Sequence, residues 1–256
     1  MLSAGLQLSL ITGSELICYE RMEIRGTENS ISGFAETLEI ELIHGLKSES
    51  KGLTYYNEVC PYCFDQAFNF LPKNTILNGY FQNSQYHTNS KDDILKGIVR
   101  TSEVLGSSTK SSINDVSIQI RLGDFKNKII RKKIGLLSYE YFRQSLNSIK
   151  FEPDSSITVF SDSINEALSL ARENISQNLN FDMSREYETP LGNLTGLALS
   201  RNLIISNSTF GWWAAQLSEY LQYMNAVVAP EFWSRSQPCS RQMSNSDWIK
   251  LTPKWR

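Results

Sequence analysis

Histidine is nearly missing from this sequence, which has two in 256 residues, His44 and His87. Neither lies near a strand end of the second half, so a histidine-based triad or zinc site has no supporting spacing. Long apolar runs are missing too. No stretch approaches the roughly 18 to 20 apolar residues needed to span a bilayer. The N-terminus, MLSAGLQLSLITGSELI, lacks a charged region and interrupts its apolar residues with Ser, Gln and Thr, unlike a signal peptide. Leu2, Leu6, Leu8 and Ile11 fit an amphipathic helix instead. A basic excess is absent as well: the formal charge is −2 and the isoelectric point about 5.8, which argues against a nucleic-acid-binding surface. The densest basic run, Lys126 to Lys133, reads as a solvated loop. Four cysteines, two of them in CPYC (Cys60 to Cys63), are too few for a disulfide scaffold in a chain of this length. A reducing cytoplasm is the simpler home, with peripheral attachment to the inner membrane face left open. Phosphate-binding signatures of the G-x-x-x-x-G-K-[ST] and G-x-G-x-x-G kinds do not occur, nor does an Asp-x-Asp that would hold a divalent ion.

What is present is a chain with 41% hydrophobic and 20% charged residues, enough for one α/β domain or two small ones. Up to about residue 112 the pattern is irregular: a helix near 2–12, strands near 15–24 and 35–43, an aromatic-rich segment, and a helix near 90–104. From Asn114 onward strands and helices alternate. DVSIQIRLGD, SSITVFSD, NLNFD, LIIS and NAVVAP read as strands; SYEYFRQSLNSI, SINEALSLAREN, PLGNLTGLALSRN and the tryptophan-bearing segment after Ser208 read as helices. That alternation means βαβ units and a parallel sheet. EVLGSSTKSSIND is the candidate linker, dividing a domain of residues 1–112 from one of 113–256.

Right-handed crossovers bring the strand ends of the second half to one edge. Arg121, Gly123 and Asp124 follow the first strand, Ser161 and Asp162 the second, and Asn207, Ser208 and Thr209 the LIIS strand. Ser208 and Thr209 are good N-caps for the apolar helix beginning at Phe210. The first N–H groups of that helix have no partner within it and suit an anion. An arginine, a helix N-terminus and carboxylates together suit a nucleoside diphosphate. The alternatives are an ordinary capped helix and a structural ion pair between Arg121 and Asp124.

VSIQIRLGDF resembles the H-x-R-R-G-D-[YF] element of the family-11 glycosyltransferases, α-1,2-fucosyltransferases that use GDP-fucose. VFSD is similar to that family's next strand end, and ISNSTFGWWAAQLS to its S-N-S-[ST]-F-x-W-W-x-A-x-L signature. LNGYFQNSQY resembles its L-x-G-Y-F-Q-S-x-x-Y element, and APEFW with DWIKL its C-terminal end. The resemblance implies a two-lobed GT-B-like fold with Rossmann-like lobes, acceptor-side first and GDP-sugar-binding second. It implies inverting transfer of fucose to a galactose-containing glycan, without metal or other cofactor. Arg121 then grips the diphosphate, the Ser208-Thr209-Phe210 turn presents N–H groups to it, and Asp124 is the candidate base unless it orients Arg121. Trp212 and Trp213 read as packing, because neighbours on a helix point about 100° apart and cannot both face one ligand.

At four places this sequence departs from that pattern. Gln119 stands where the family has His, keeping hydrogen bonding without a proton acceptor. Leu122 replaces the second Arg. Asn193 stands where the family has an Asp that resembles a guanine-binding group, and an amide accepts with one oxygen only. The family's opening strand and G-G-L-G-N-Q loop have no counterpart ahead of the helix at 2–12. These departures favour a second reading, a nucleotide-sugar-binding relative without turnover. CPYC is also the glutaredoxin active-site tetrapeptide, but no Thr-Val-Pro follows it, so packing is the simpler role. The N-x-[ST] sites at Asn174, Asn193 and Asn207 matter only in a secretory compartment.

Overall fold

The computed structural model describes residues 2–20, 41–44, 52–102, 113–184 and 190–256. They fall into two compact units, Met1–Ser102 and Glu103–Arg256. In the first unit, α1 (Leu2–Thr12) takes up the expected N-terminal helix and buries Ala4 and Leu8 against Phe68, Phe81 and Tyr86. The Gln7 side chain accepts the N–H groups of Asn89 at 2.7 Å and Ser90 at 3.1 Å, tying α1 to the start of α2 (Lys91–Thr101). Asp92 and Asp93 in the first turn of α2 and Arg100 in its last complement the helix dipole.

Among the described residues of this unit are two pairs of short parallel strands: β1 (Ile17–Glu20) with β2 (Glu41–His44), and β3 (Thr54–Asn57) with β4 (Thr75–Asn78). The first pair overlaps the strands expected near 15–24 and 35–43, whose segments 21–24 and 35–40 lie outside the described residues. The second pair lies within the segment read only as aromatic-rich. Its aromatic rings interlock, Phe68 and Phe81 meeting Tyr86 edge-on at 4.9 and 5.2 Å. CPYC follows β3 as a turn in which Cys63 N–H donates to Cys60 O at 3.3 Å. The Asn83 side chain pins it by donating to Tyr62 O at 2.8 Å, and a 3₁₀ turn, not an α-helix, comes after it.

Among the described residues, the second unit holds six parallel strands: β5 (Asn114–Ile120), β6 (Ile157–Ser161), β7 (Phe181–Met183), β8 (Ser200–Ile204), β9 (Ala226–Pro230) and β10 (Ile249–Leu251). Across the sheet they run β10-β9-β8-β5-β6-β7. Counted in chain order this is the doubly wound Rossmann arrangement, with its reversal between β5 and β8. Helices α3 (Lys128–Lys133), α4 (Tyr139–Asn147), α5 (Ile164–Leu170), α6 (Pro190–Ala198) and α7 (Thr209–Tyr220) connect the strands. Val116, Ile118 and Ile120 of β5 face a core shared with Ile157, Val159, Tyr141 and Phe142. Central position explains the run of buried residues from Val116 to Ile120, because a parallel strand covered on both faces has no solvent side.

Three readings change in this unit. Lys126–Lys133 is no loop: a 3₁₀ turn (Asp124–Lys126) leads into α3, capped by the Asn127 side chain on the Ile129 and Ile130 N–H groups. PLGNLTGLALSRN is helical only to Ala198, and its last residues start β8. Their polar groups are satisfied across the sheet, since Ser200 Oγ donates to Ser117 Oγ at 2.5 Å and Asn202 Nδ2 donates to Asp115 O at 3.1 Å. The helix SINEALSLAREN ends as α at Leu170 and continues as a π turn to Ile175. Residues 103–112, most of the candidate linker, lie outside the described residues.

Candidate active site

Because all six strands are parallel, β5, β6 and β8 deliver their following residues to one edge. The strand order reverses between β5 and β8, and the carboxyl edge at such a reversal is the usual ligand position in a doubly wound sheet. Arg121 leaves β5 there. Its Nη1 lies 2.9 Å from Asp162 Oδ2 and its Nη2 2.8 Å from Asp124 Oδ1, with the Phe125 ring centroid 5.7 Å from Cζ. The side chains of Arg121, Asp124 and Asp162 keep 31%, 40% and 23% of their surface exposed, so a ligand can reach all three.

Asp162 joins two strand ends. Its Oδ1 accepts the Leu122 N–H at 2.9 Å while Oδ2 holds the guanidinium. A Cβ on Gly123 would stand 2.1 Å from Asp162 Oδ2, so glycine here makes room for the carboxylate. The Ser161 hydroxyl donates to Asp162 Oδ1 at 3.4 Å and accepts the Ser163 N–H at 3.0 Å, shaping the turn after β6.

The elbow after β8 is tied to β5 by Ser206, which sequence reasoning did not single out. Its hydroxyl donates to Gln119 O at 2.6 Å and accepts the Arg121 N–H at 3.1 Å, and its own N–H donates to Gln119 Oε1 at 3.2 Å. Gln119 is therefore buried between strand and elbow. It also touches α7, because a Cβ on Gly211 would come within 2.2 Å of Gln119 Oε1. The buried Tyr141 hydroxyl, with its pKa pushed up by burial, donates to Ile205 O at 2.8 Å. A tyrosine within the Y-x-Y of α4 carries no sequence mark of that role; the serine at a strand end does.

Asn207 turns inward, its Nδ2 donating to Gly135 O and Trp233 O at 3.2 Å each. Ser208 takes the N-cap position with extended backbone (φ −137°, ψ 131°), but its side chain makes no capping bond. The N–H groups of Thr209, Phe210 and Gly211 precede the first intrahelical donor, Trp212 N–H to Ser208 O at 3.1 Å. They point past the carboxyl edge with half-buried Ser208, Thr209 and Phe210 around them. Asn193 is half-buried in the first turn of α6, a helix that starts at the same edge because crossover helices run against their strands. Leu122 points into the core. Trp212 is buried with Nε1 donating to Met243 O at 2.7 Å, and Trp213 meets its ring edge-on at 4.9 Å.

Fold and site together define a Rossmann-type α/β protein with a cluster of polar groups at its switch point. The chain belongs to glycosyltransferase family 11, whose model, Glycosyl transferase family 11, matches residues 59–252. It is similar to an "Alpha-1,2-colitosyltransferase" of Escherichia coli, 26% identical over 180 residues, 68% of this chain and 61% of that protein. It is also similar to the "O-antigen biosynthesis glycosyltransferase WbnK" of Escherichia coli, 28% identical over 142 residues, 54% of this chain and 45% of that one. The chain thus spans about half to three-fifths of the length of these relatives. Among the described residues, no helix is long and apolar enough to cross a membrane.

Proposed function

We propose that this protein is an inverting glycosyltransferase that moves fucose from GDP-fucose to a galactoside hydroxyl in α-1,2 linkage, within a two-lobed GT-B architecture. The observation that carries it is the shared edge of Arg121 and the α7 N-terminus, flanking the switch point of the sheet. The α-1,2 in one relative's name and the O-antigen biosynthesis in the other's support the linkage and a surface-polysaccharide setting. In this reading the diphosphate lies between the Arg121 fork and the Thr209 to Gly211 N–H groups. Negative charge grows on the departing GDP oxygen in the transition state, so donors aimed there lower the barrier selectively. The guanidinium and N–H groups supply that compensation without a metal ion.

The acceptor hydroxyl oxygen attacks the anomeric carbon from the face opposite GDP. A new C–O bond forms, the C–O bond to phosphate breaks, and GDP keeps the electron pair. The hydroxyl proton goes to Asp124, whose Oδ2 is not used by Arg121. A second reading, a relative that binds nucleotide sugar without turnover, is favoured by the two carboxylates already neutralising Arg121.

Incubation with GDP-fucose and a β-galactoside, followed by mass spectrometry, separates the two. The enzyme reading expects a product heavier by one deoxyhexose, with Asp124→Asn still binding GDP but turning over about 10²–10⁴-fold more slowly. GDP raising the melting temperature with no product supports the second reading. Neither stabilisation nor product contradicts both.

A further inference from the structure

The β3–β4 pair presents one face inward and one outward. Tyr56 and Leu77 pack into the aromatic cluster of the first unit. Alternation then turns Tyr55 and Asn57 of β3, and Ile76 and Asn78 of β4, to the opposite side. Register places Tyr55 beside Ile76 and Asn57 beside Asn78. Tyr55 is 56% exposed, and Tyr80, just past the carboxyl end of β4, is 73% exposed. Along the register an amide pair falls between these two positions, Asn78 Nδ2 donating to Asn57 Oδ1 at 2.9 Å. That bond leaves Asn57 Nδ2 as a donor and Asn78 Oδ1 as an acceptor for a ligand.

Tyr80 is held in place. Glu58 Oε2 accepts its N–H at 2.7 Å, and Glu58 Oε1 accepts the Phe81 N–H at 2.9 Å. Phe81 is buried with φ 49°, a left-handed backbone rare for a bulky side chain. Gly79 lets the turn close, since a Cβ there would lie 2.4 Å from Glu58 Cβ. Both Glu58 oxygens thus accept backbone N–H groups, and among the described residues the side chains named on this face, Tyr55, Asn57, Ile76, Asn78 and Tyr80, are all uncharged. A turn over-determined in this way at the carboxyl end of parallel strands is typical of a ligand clamp.

From this arrangement we propose that the outward β3–β4 face, Tyr55, Asn57, Asn78 and Tyr80, is a binding subsite for a neutral hexopyranoside, the acceptor sugar of the transfer reaction. A pyranose offers an apolar C–H face to tyrosine rings and a rim of hydroxyls to amides, while none of these four side chains offers a cation to an anionic ligand. The assignment as acceptor rests on the glycosyl transfer proposed above; sugar binding by the face is measured separately from it.

The test titrates methyl β-D-galactopyranoside, with methyl β-D-glucopyranoside as a second probe, into the full chain labelled at its tyrosine rings and followed by NMR. The Tyr55 and Tyr80 ring signals, assigned through Tyr55→Phe and Tyr80→Phe, are expected to shift saturably. Tyr80→Ala is expected to weaken binding about three- to tenfold, and Tyr80→Phe less than twofold. The GDP-induced rise in melting temperature is read in parallel and should be the same in every variant. Glycosides that move neither ring signal, or an affinity unchanged in Tyr80→Ala, overturn the subsite while leaving the donor reading standing. Loss of the GDP response in the unaltered chain would remove the donor reading instead.

Discussion

Arg121 is a side chain both braced by its neighbours and left accessible. Two carboxylates fix its fork, and both ion pairs are partly exposed, so they add little stability by themselves. Their effect is to aim the guanidinium. The sequence placed Arg121, Asp124 and Asp162 on one edge, since strand ends in a parallel sheet converge. It could not show that Asp162 braces Arg121, that Gln119 and Asn207 face inward, or that Ser206 joins the two strands. Those depend on side-chain direction at turns, where neither period 2 nor period 3.6 applies.

Another residue with a consequence of its own is His87, buried in the first unit with its pKa pushed down to about 3 from an ordinary 6.5, chiefly by burial. The folded chain keeps it neutral while the unfolded chain protonates it below pH 6.5. Stability from this group is therefore complete above pH 6.5 and declines as pH falls toward 3, by at most about 1.4 kcal/mol per pH unit. Urea unfolding between pH 7 and 5 should show the decline in the unaltered chain and a flatter profile in His87→Gln. Equal slopes would contradict a buried neutral histidine.

At the scale of elements, closeness between α7 and β5 sets the position of the helix N-terminus. Gly211 permits it, because an added Cβ meets Gln119 Oε1 at 2.2 Å and Ile205 Cβ at 3.0 Å. Gly211→Ala is expected to push the first turn of α7 outward and destabilise the protein by about 1–3 kcal/mol, despite alanine's better helix propensity. Stabilisation by the substitution would contradict the packing. Strands near the centre of the sheet were legible in sequence from the β-branched residues of β5 and β6, the Leu-Ile end of β8 and the Val-Val of β9. β3, β4 and β10 were not, since strands of three or four residues with exposed or half-buried positions carry too little pattern. The start of β8 was read as helix because its Ser and Asn look like a helix end until β5 supplies their partners.

For the whole molecule, the second unit has the strand order of a Rossmann domain, and the chain belongs to a glycosyltransferase family through residues on both units. The account stands on GDP being held at the switch point by the Arg121 fork and the α7 N-terminus. Calorimetric titration of GDP into the full chain and into Arg121→Ala tests this most directly. The account predicts saturable one-to-one binding that weakens by about tenfold or more in the variant, as expected for a charge-assisted fork on phosphate. Equal GDP affinity in the two proteins, with both still folded, would contradict it.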